Sequence, residues 1–113
     1  MTTTVVNVKV KYLRPEYTNL QDWLDKGAGN HIYVGRNMEF YVTGAKGSKW
    51  KNPFSVKKYG RDGCLEMYRE YIETHPTLKD ALGELKGKVL GCWCHPEGCH
   101  ASILAELCDK RRN

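Results

Sequence analysis

The feature that most constrains this chain is the run GCWCHPEGCH at residues 91–100, which places three cysteines and two histidines within ten positions. The other 103 residues of the 113-residue chain hold only two more of each. KVLGCWC is typical of a short buried strand, and CHASILAELCDKRR has the apolar spacing of a helix. The sequence therefore predicts a strand, a turn and a helix, with the Cys/His run at their junction.

Strand periodicity predicts that Cys92 and Cys94 point to the same face, at the carboxyl end of the strand. The helix is expected to begin at about Cys99. Its core-facing stripe consists of Ile103, Leu104, Leu107 and Cys108. Counting back by three and four places His100 on that stripe. We therefore expect Cys92, Cys94 and His100 to meet at one point, with Cys99 beside them.

Zinc coordination is one interpretation of this cluster. Cys92, Cys94, Cys99 and His100 are the four ligands of a Cys3His centre, although their spacing differs from the common C-x2-4-C pairs. A second interpretation is catalytic: a helix N-terminus stabilises the Cys99 thiolate, and His100 or His95 acts as its base. Both interpretations stay open at this point, and so does the question of whether the protein is an enzyme.

Two further interpretations involve no site chemistry. Free cysteines often simply pack in the core, which accounts well for Cys64 and Cys108 on apolar helix faces. A disulfide is disfavoured, because the cysteine count of five is odd and the N-terminus lacks the basic-then-apolar layout of a signal peptide. We therefore expect an intracellular protein in the cytoplasm or nucleus.

The segment GAKGSKWKNPFSVKKYG, residues 44–60, has features of an anion site, although it lacks the Walker order of glycines and lysine. Glycines permit close backbone approach, lysines supply charge, and Trp50 and Phe54 could stack a base. The alternative is a solvated loop that the two aromatic residues anchor. Arg36 ends a predicted strand, where open α/β sheets bind ligands. The candidate ligand-binding residues are Arg36, Ser48, Lys49, Trp50, Asn52 and Phe54.

The charge balance favours an anionic partner such as a nucleotide or nucleic acid. The formal net charge is +5 and the sequence pI is about 9.0. Such a charge steers anions towards a protein without specifying a contact. No apolar run approaches the roughly 20 residues of a membrane helix, so no membrane association is expected.

The order of the predicted elements indicates an α/β or α+β domain. Alternation over residues 5–12 predicts a strand, and Thr18 is expected to cap a helix over residues 19–26. A strand follows at HIYVGR, and residues 38–43 are expected to extend the sheet. Pro76 ends a helix over residues 61–75, and Thr77 caps the next helix. These elements predict one small domain over residues 1–113, with a short central sheet between flanking helices.

Several of these segments together resemble the domain-of-unknown-function 4326 family, found in phages, giant viruses, bacteria and some eukaryotes. The similarity rests on IYVGR, GSKWKNPF, a tyrosine-bearing helix and ELKGKVLGCWCHPEGCHASILAEL, and it covers residues 31–108 after a strand-helix extension at residues 1–30. It departs from the family pattern at Lys51 and Ala101, where glycine is common. The resemblance implies candidate positions and no reaction. These positions are Gly35, Arg36, Ser48, Asn52, Pro53, Phe54, Cys92, Cys94, Cys99 and His100.

Two function hypotheses follow. The first is a small domain that binds a nucleotide or another phosphorylated ligand between Arg36, the glycine- and lysine-rich loop and the Cys/His cluster. Zinc is its expected cofactor, and hydrolysis or group transfer is its expected chemistry if it is an enzyme. The alternative is a non-catalytic, zinc-stabilised module that binds nucleic acid or another protein.

Overall fold

The computed structural model describes residues 2–93 and 100–110, apart from the side chain of Val56. Within these ranges, three strands and five α-helices form an α/β fold. In chain order they are β1 (Thr4–Asn7), α1 (Val10–Leu13), α2 (Leu20–Lys26), β2 (His31–Tyr33), α3 (Val56–Thr74), α4 (Pro76–Ala81), β3 (Val89–Cys92) and α5 (His100–Lys110). A 3-10 turn over Leu82–Glu84 follows α4 directly.

The sheet is parallel and has the order β1-β3-β2, so the last strand of the chain lies at its centre. Thr4 and His31 both pair with Val89, and the register continues to the opposite ends of the strands. Two backbone bonds extend the pairing, from Val8 N to Cys92 O at 2.9 Å and from Val34 N to Gly91 O at 3.0 Å. All three strands therefore end at one carboxyl edge.

Each face of the sheet is covered by a buried cluster of its own. The first core includes Leu90 and Cys92 and is completed by α3, α4 and α5. The second core includes Val8 and Tyr33 and is completed by α1, α2 and Ala45. Alternation along β3 produces this division, because successive side chains of a strand point to opposite faces. The predicted arrangement of a short sheet between helices is confirmed.

Two helices, α2 and α4, start one or two residues away from their predicted starts. Asn19, and not Thr18, caps α2, because its side chain accepts a hydrogen bond from Asp22 N at 2.9 Å. His75, and not Thr77, caps α4, accepting a hydrogen bond from Leu78 N through Nδ1. Pro76 ends α3 as predicted and also begins α4, since a proline needs no backbone donor in the first turn.

The longest helix, α3, begins earlier than predicted. It runs from Val56 to Thr74 with non-helical angles at Gly60, where φ is 76°. Only glycine adopts such a positive φ readily, so Gly60 permits a bend that joins residues 56–59 to the regular helix. The lysines at the end of the predicted loop therefore lie on a helical turn.

One predicted strand is shorter than expected, and a second predicted strand segment does not form. Alternation over residues 5–12 does not continue as a strand, because residues 10–13 form the helical turn α1. Residues 38–43 form turns and do not extend the sheet. The backbone N–H groups of Tyr41 and Val42 both bond to the carbonyl of Met38, which closes a turn that alternating apolar residues do not reveal.

Candidate functional site at the carboxyl edge of the sheet

The carboxyl edge of the sheet is held together by side chains that follow each strand. Asn7 ends β1, is buried, and donates from Nδ2 to the carbonyl of Trp93 at 3.2 Å. Its Oδ1 accepts a hydrogen bond from Lys9 N at 2.9 Å. This one amide therefore fixes the exit of β1 against the exit of β3.

Tyr33 connects the ends of β2 and β3. Its hydroxyl donates to the carbonyl of Arg36 at 2.6 Å and accepts a hydrogen bond from Nε1 of Trp93 at 2.7 Å. Burial raises the pKa of Tyr33, so the phenol stays protonated and able to donate at neutral pH. The side chain passes over Gly35, where an added Cβ would lie 2.5 Å from the hydroxyl oxygen. Glycine at that position therefore permits the close contact.

His100 is the first residue of α5 and reaches the end of β2. Its Nε2 is bonded to the carbonyl of Val34, and its ring meets that of Tyr68 edge-on at 5.1 Å. A carbonyl only accepts, so Nε2 carries the hydrogen and Nδ1 carries the lone pair in the neutral ring. Burial lowers the pKa of His100; the Val34 carbonyl opposes this shift and the Arg36 charge adds to it. His100 is therefore a neutral imidazole at neutral pH.

Arg36 lies just beyond the same strand end, with its side chain exposed. Its carbonyl is held by Tyr33, and its charge acts on the imidazole of His100. The edge thus presents a cation and a neutral histidine side by side. Sequence reasoning identified both residues as candidates, and the structure brings them together.

The strand connections change sides at this same edge. After β1 the chain crosses to α1 and α2 over the second core, whereas after β3 it leads through residues 94–99 to α5 over the first core. β1 and β3 are neighbours, so their exits diverge at a topological switch point. In open α/β sheets, ligands bind outside the carboxyl ends of strands at such points.

The predicted zinc ligands fall partly on described residues. Cys92 is buried in the first core, on the face that strand alternation predicted, and the same core contains Ala101, the neighbour of His100. Cys94 and Cys99 lie outside the described residues, and so does His95. Within residues 2–93 and 100–110, no three metal-ligating side chains form a group. The four-ligand set therefore remains a prediction.

Two polar residues of the glycine- and lysine-rich loop shape its backbone. Ser48 Oγ accepts a hydrogen bond from Trp50 N at 3.2 Å. Asn52 Oδ1 accepts one from Phe54 N at 2.9 Å, and its amide donates to the sulfur of Cys64 at 3.1 Å. The Cys64 thiol donates in turn to the carbonyl of Phe54. These contacts fix the loop against α3.

The aromatic residues of the loop anchor it. Trp50 is only 3% exposed, and its carbonyl accepts a hydrogen bond from the Tyr68 hydroxyl at 2.6 Å. Phe54 is half-buried against the first core, with its ring edge-on to Tyr59 and Tyr71. Since the Trp50 ring lies in the core, it is not available to stack on a base. The anchoring alternative describes Trp50 correctly.

The lysines of the loop differ in their surroundings. The ammonium group of Lys49 lies 2.9 Å from a carboxylate oxygen of Glu84 and 5.4 Å from the centre of the Trp50 ring. Lys46 and Lys51 are exposed. Of the candidate cations, Arg36 is the one that lies at the carboxyl edge beside His100.

Three residues of the edge were missed by sequence reasoning: Asn7, Tyr33 and Trp93. Asn7 has a readable signal, since an asparagine at the end of an apolar strand often bonds to nearby backbone. Tyr33 and Trp93 are 60 positions apart, and only the pairing of β2 with β3 brings them together.

Comparison with known families places this site in context. The family described as a domain of unknown function (DUF4326) matches residues 19–110. The chain belongs to this family. The matched region thus includes every described element from α2 to α5 and every residue of the candidate edge except Asn7. The resemblance of residues 31–108 is confirmed, and the match begins earlier than that resemblance did.

Two viral proteins are similar to this DUF4326 chain. An uncharacterised protein of Acanthamoeba polyphaga mimivirus is 36% identical over 85 residues, which cover 67% of this chain and 65% of the relative. This chain therefore spans slightly less than two thirds of that relative's length. An uncharacterised 12.4 kDa protein of the nrdA-td intergenic region of Enterobacteria phage T4 is 28% identical over 93 residues, covering 72% of this chain and 86% of the relative.

No solved structure matches this chain significantly. Among the described helices, none combines the length and the apolar character needed to cross a membrane.

Proposed function

We propose that this DUF4326 chain binds a nucleotide or another phosphorylated ligand at the carboxyl edge of its sheet. The observation that carries the proposal is that exposed Arg36 lies two residues beyond Val34, whose carbonyl binds the neutral ring of His100 at the end of β2. A guanidinium group matches phosphate in charge and geometry and binds it through two parallel hydrogen bonds. The switch point between β1 and β3 lies at the same carboxyl edge and supports a ligand site along that edge.

The surroundings of Arg36 favour binding because its backbone is already fixed. The Tyr33 hydroxyl holds the Arg36 carbonyl, and Trp93 holds that hydroxyl. A fixed backbone reduces the entropy lost when the side chain closes on a ligand. His100 is uncharged, so the site does not carry the desolvation cost of a second charge. Ser48 and Asn52 support the proposal indirectly, through the shape of the neighbouring loop.

Replacement of Arg36 tests this binding site. We expect Arg36→Ala to weaken binding of nucleoside phosphates at least about 10-fold, because a charge-assisted hydrogen bond to phosphate is lost. Lys88→Ala is the matched control, since Lys88 lies at the amino edge of the sheet, where it bonds to Asn30. Isothermal titration with nucleoside mono- and triphosphates, and with inorganic phosphate, measures both. Equal affinity of the two variants, or no binding by the wild type, would contradict the proposal.

Zinc held by Cys92, Cys94, Cys99 and His100 is the second part of the proposal. The hydrogen bond from His100 Nε2 to a backbone carbonyl supports it, because metal-binding histidines commonly donate their other ring N–H in this way. Thiolates and imidazole are the ligands that zinc prefers. A reducing intracellular setting, also part of the proposal, keeps the thiols available.

Elemental analysis with a thiol titration tests the zinc site. We expect near-stoichiometric zinc in the purified protein, few reactive thiols, and a markedly lower Tm after chelation, since metal binding contributes to folding free energy. The Cys99→Ser variant is expected to lose the metal. Cys64 is a buried cysteine of α3 outside the proposed ligand set, so Cys64→Ser serves as the control and is expected to keep the metal. Metal-free protein with one fast-reacting cysteine would instead favour the catalytic thiol.

Catalysis, if it follows binding, is proposed to be hydrolysis or group transfer on the bound phosphorylated ligand, with Cys99 or His100 in the chemical step. A catalytic thiol predicts that Cys99→Ser abolishes turnover while the Tm stays within a few degrees of the wild type. If Cys99→Ser instead causes a large fall in Tm together with loss of zinc, Cys99 has a structural role.

A further inference from the structure

Two aromatic side chains project almost completely into solvent from one turn. Phe40 is 93% exposed and Tyr41 is 81% exposed, and their rings meet edge-on at 5.2 Å with an angle of 78°. A single exposed apolar residue is unremarkable in a soluble protein, but adjacent large rings with this exposure are typical of a binding surface.

The turn that carries these rings is well supported. Met38 N donates to the Ala45 carbonyl at 2.7 Å, and Ala45 N donates to the Val42 carbonyl at 3.1 Å. Met38, Val42 and Ala45 all pack into the second core. The fold therefore buries Ala45 and partly buries Met38 and Val42, while it leaves Phe40 and Tyr41 exposed. Their exposure follows from the conformation of an anchored turn.

The base of the turn brings two cations near each other. Gly47 lies so close to Asn37 that an added Cβ would be 2.9 Å from its Cβ and 3.1 Å from its backbone nitrogen. Arg36 precedes Asn37 and Lys46 precedes Gly47, and both basic side chains are exposed. Glu39 is the acidic residue of the turn. The two rings thus extend from a base that carries a net positive charge.

We infer that this surface binds single-stranded nucleic acid, with Phe40 and Tyr41 stacking on bases and Arg36 and Lys46 contacting phosphates. The inference rests on the proposed function, because it names the polymer of which the nucleotide at Arg36 is one unit. Phe40 lies four residues from Arg36, a chain path of at most about 15 Å. Perpendicular rings each offer a face to a base that has left its own stack, as happens in single strands.

Charge and size favour nucleic acid over a protein partner. Aromatic rings beside basic side chains are the usual combination on single-strand-binding surfaces. The chain as a whole carries a net charge of +5, which attracts a polyanion. Two side chains also bury far less than the roughly 800 Å² per partner of a stable protein interface.

Fluorescence anisotropy with a labelled single strand of about 12 nucleotides tests the inference. We expect wild-type binding to weaken steeply with salt, and the double variant Phe40→Ala/Tyr41→Ala to lose about 10- to 100-fold in affinity. Tyr12→Ala is the matched control, since Tyr12 is 54% exposed next to Lys11 and lies outside this turn. Glu39→Gln is expected to tighten binding two- to fivefold, by about the effect of one like charge removed.

The outcomes separate this inference from the proposed function. The double variant should keep wild-type affinity for a mononucleotide, whereas Arg36→Ala should lose affinity for both ligands. Unchanged oligonucleotide affinity in the double variant would overturn the inference, as would salt-independent binding. Self-association of the wild type that the double variant abolishes, without oligonucleotide binding, would assign the rings to a second copy of the chain and also overturn it.

Discussion

Gly91, at the centre of β3, shows how closely the second core approaches the sheet. An added Cβ there would lie 2.6 Å from a methyl carbon of Val8 and 2.9 Å from the Trp23 ring. The absence of a side chain lets α2 and the segment after β1 pack directly on the central strand. Gly91 is needed here because a side chain would have no room. Backbone conformation is not the reason, since the φ of Gly91 is not positive.

We expect Gly91→Ala to destabilise the protein by about 1–3 kcal/mol, because overpacking forces Val8 and Trp23 to move. Gly83→Ala is the matched control. No atom outside its own neighbourhood lies within 4 Å of the added Cβ, so that variant should be as stable as the wild type or slightly more so. Urea unfolding of the three proteins measures the difference. Equal urea midpoints for Gly91→Ala and the wild type would contradict this prediction, because the second core would then accommodate the added methyl group without loss of stability.

The sequence predicted some residues of the site well and others not at all. Strand and helix periodicity predicted that Cys92 and His100 face the core, because that depends on local geometry alone. The hydrogen bonds that join Trp93, Tyr33 and Arg36 depend on strand pairing across 60 positions, which residue patterns do not reveal. The sequence around Trp50 is compatible both with a ring that stacks on a base and with a ring that anchors the loop. Only the burial of Trp50 in the structure distinguishes the two.

At the scale of elements, α3 and α5 are joined across the first core by an exposed ion pair. Arg69 on α3 bonds to the carboxylate of Glu106 on α5, and Lys110 lies 3.3 Å from the same carboxylate. The hydrogen bond from Arg69 is the main reason that the pKa of Glu106 lies below its usual value. The pair is solvated, so its contribution to stability is small.

Glu106→Gln is expected to lower the free energy of unfolding by about 0.2–1 kcal/mol near neutral pH. A carboxyl group with a lowered native pKa stabilises the fold above its unfolded pKa and loses that contribution as pH falls through the native pKa. The difference between variant and wild type should therefore shrink as pH falls below about 4.3, the usual pKa of glutamate, and disappear once the pH lies below the native pKa. Urea unfolding across pH measures it, with Glu73→Gln in an exposed residue of α3 as control. A difference that persists in acid would contradict the ion-pair explanation.

Helices were easier to predict than the irregular segments between them. The apolar stripes of α2, α3 and α5 have helical spacing, and their observed ranges overlap the predicted ones. Residues 38–43 alternate like a strand, yet Met38 and Val42 are partly buried four positions apart in a turn, and Phe40 and Tyr41 are left in solvent. Alternation of apolar residues cannot distinguish a strand from such a turn, because it does not show which aromatic or aliphatic residues are buried and which are exposed.

At the scale of the whole molecule, the fold class follows from the order of strands and helices, but the strand order does not. The sequence predicted helices around a short sheet, and the structure confirms this. The central position of β3 depends on which edges the connections leave free, a property of the assembled fold. Its short apolar run fits a strand covered on both faces.

A fragment of residues 1–87 should lack the sheet, because both outer strands pair with β3 and the fragment omits it. We expect no cooperative thermal transition and little near-ultraviolet circular dichroism, in contrast to the full chain. A second fragment, residues 9–113, loses one outer strand and keeps the β2–β3 pair, so it should retain more protection from hydrogen exchange around Leu90. Cooperative melting of the shorter fragment would contradict the central role of β3.

The central position of β3 also has a consequence for synthesis on the ribosome. Thr4–Asn7 and His31–Tyr33 are translated before their shared pairing partner Val89–Cys92, and residues 34–88 lie between β2 and that partner. Until β3 is translated, two apolar strand segments therefore lack the strand that pairs with both of them. Non-local parallel pairing of this kind forms slowly and leaves strand edges exposed to aggregation. Nascent chains of this protein should consequently depend on chaperones until the Cys/His run has left the exit tunnel.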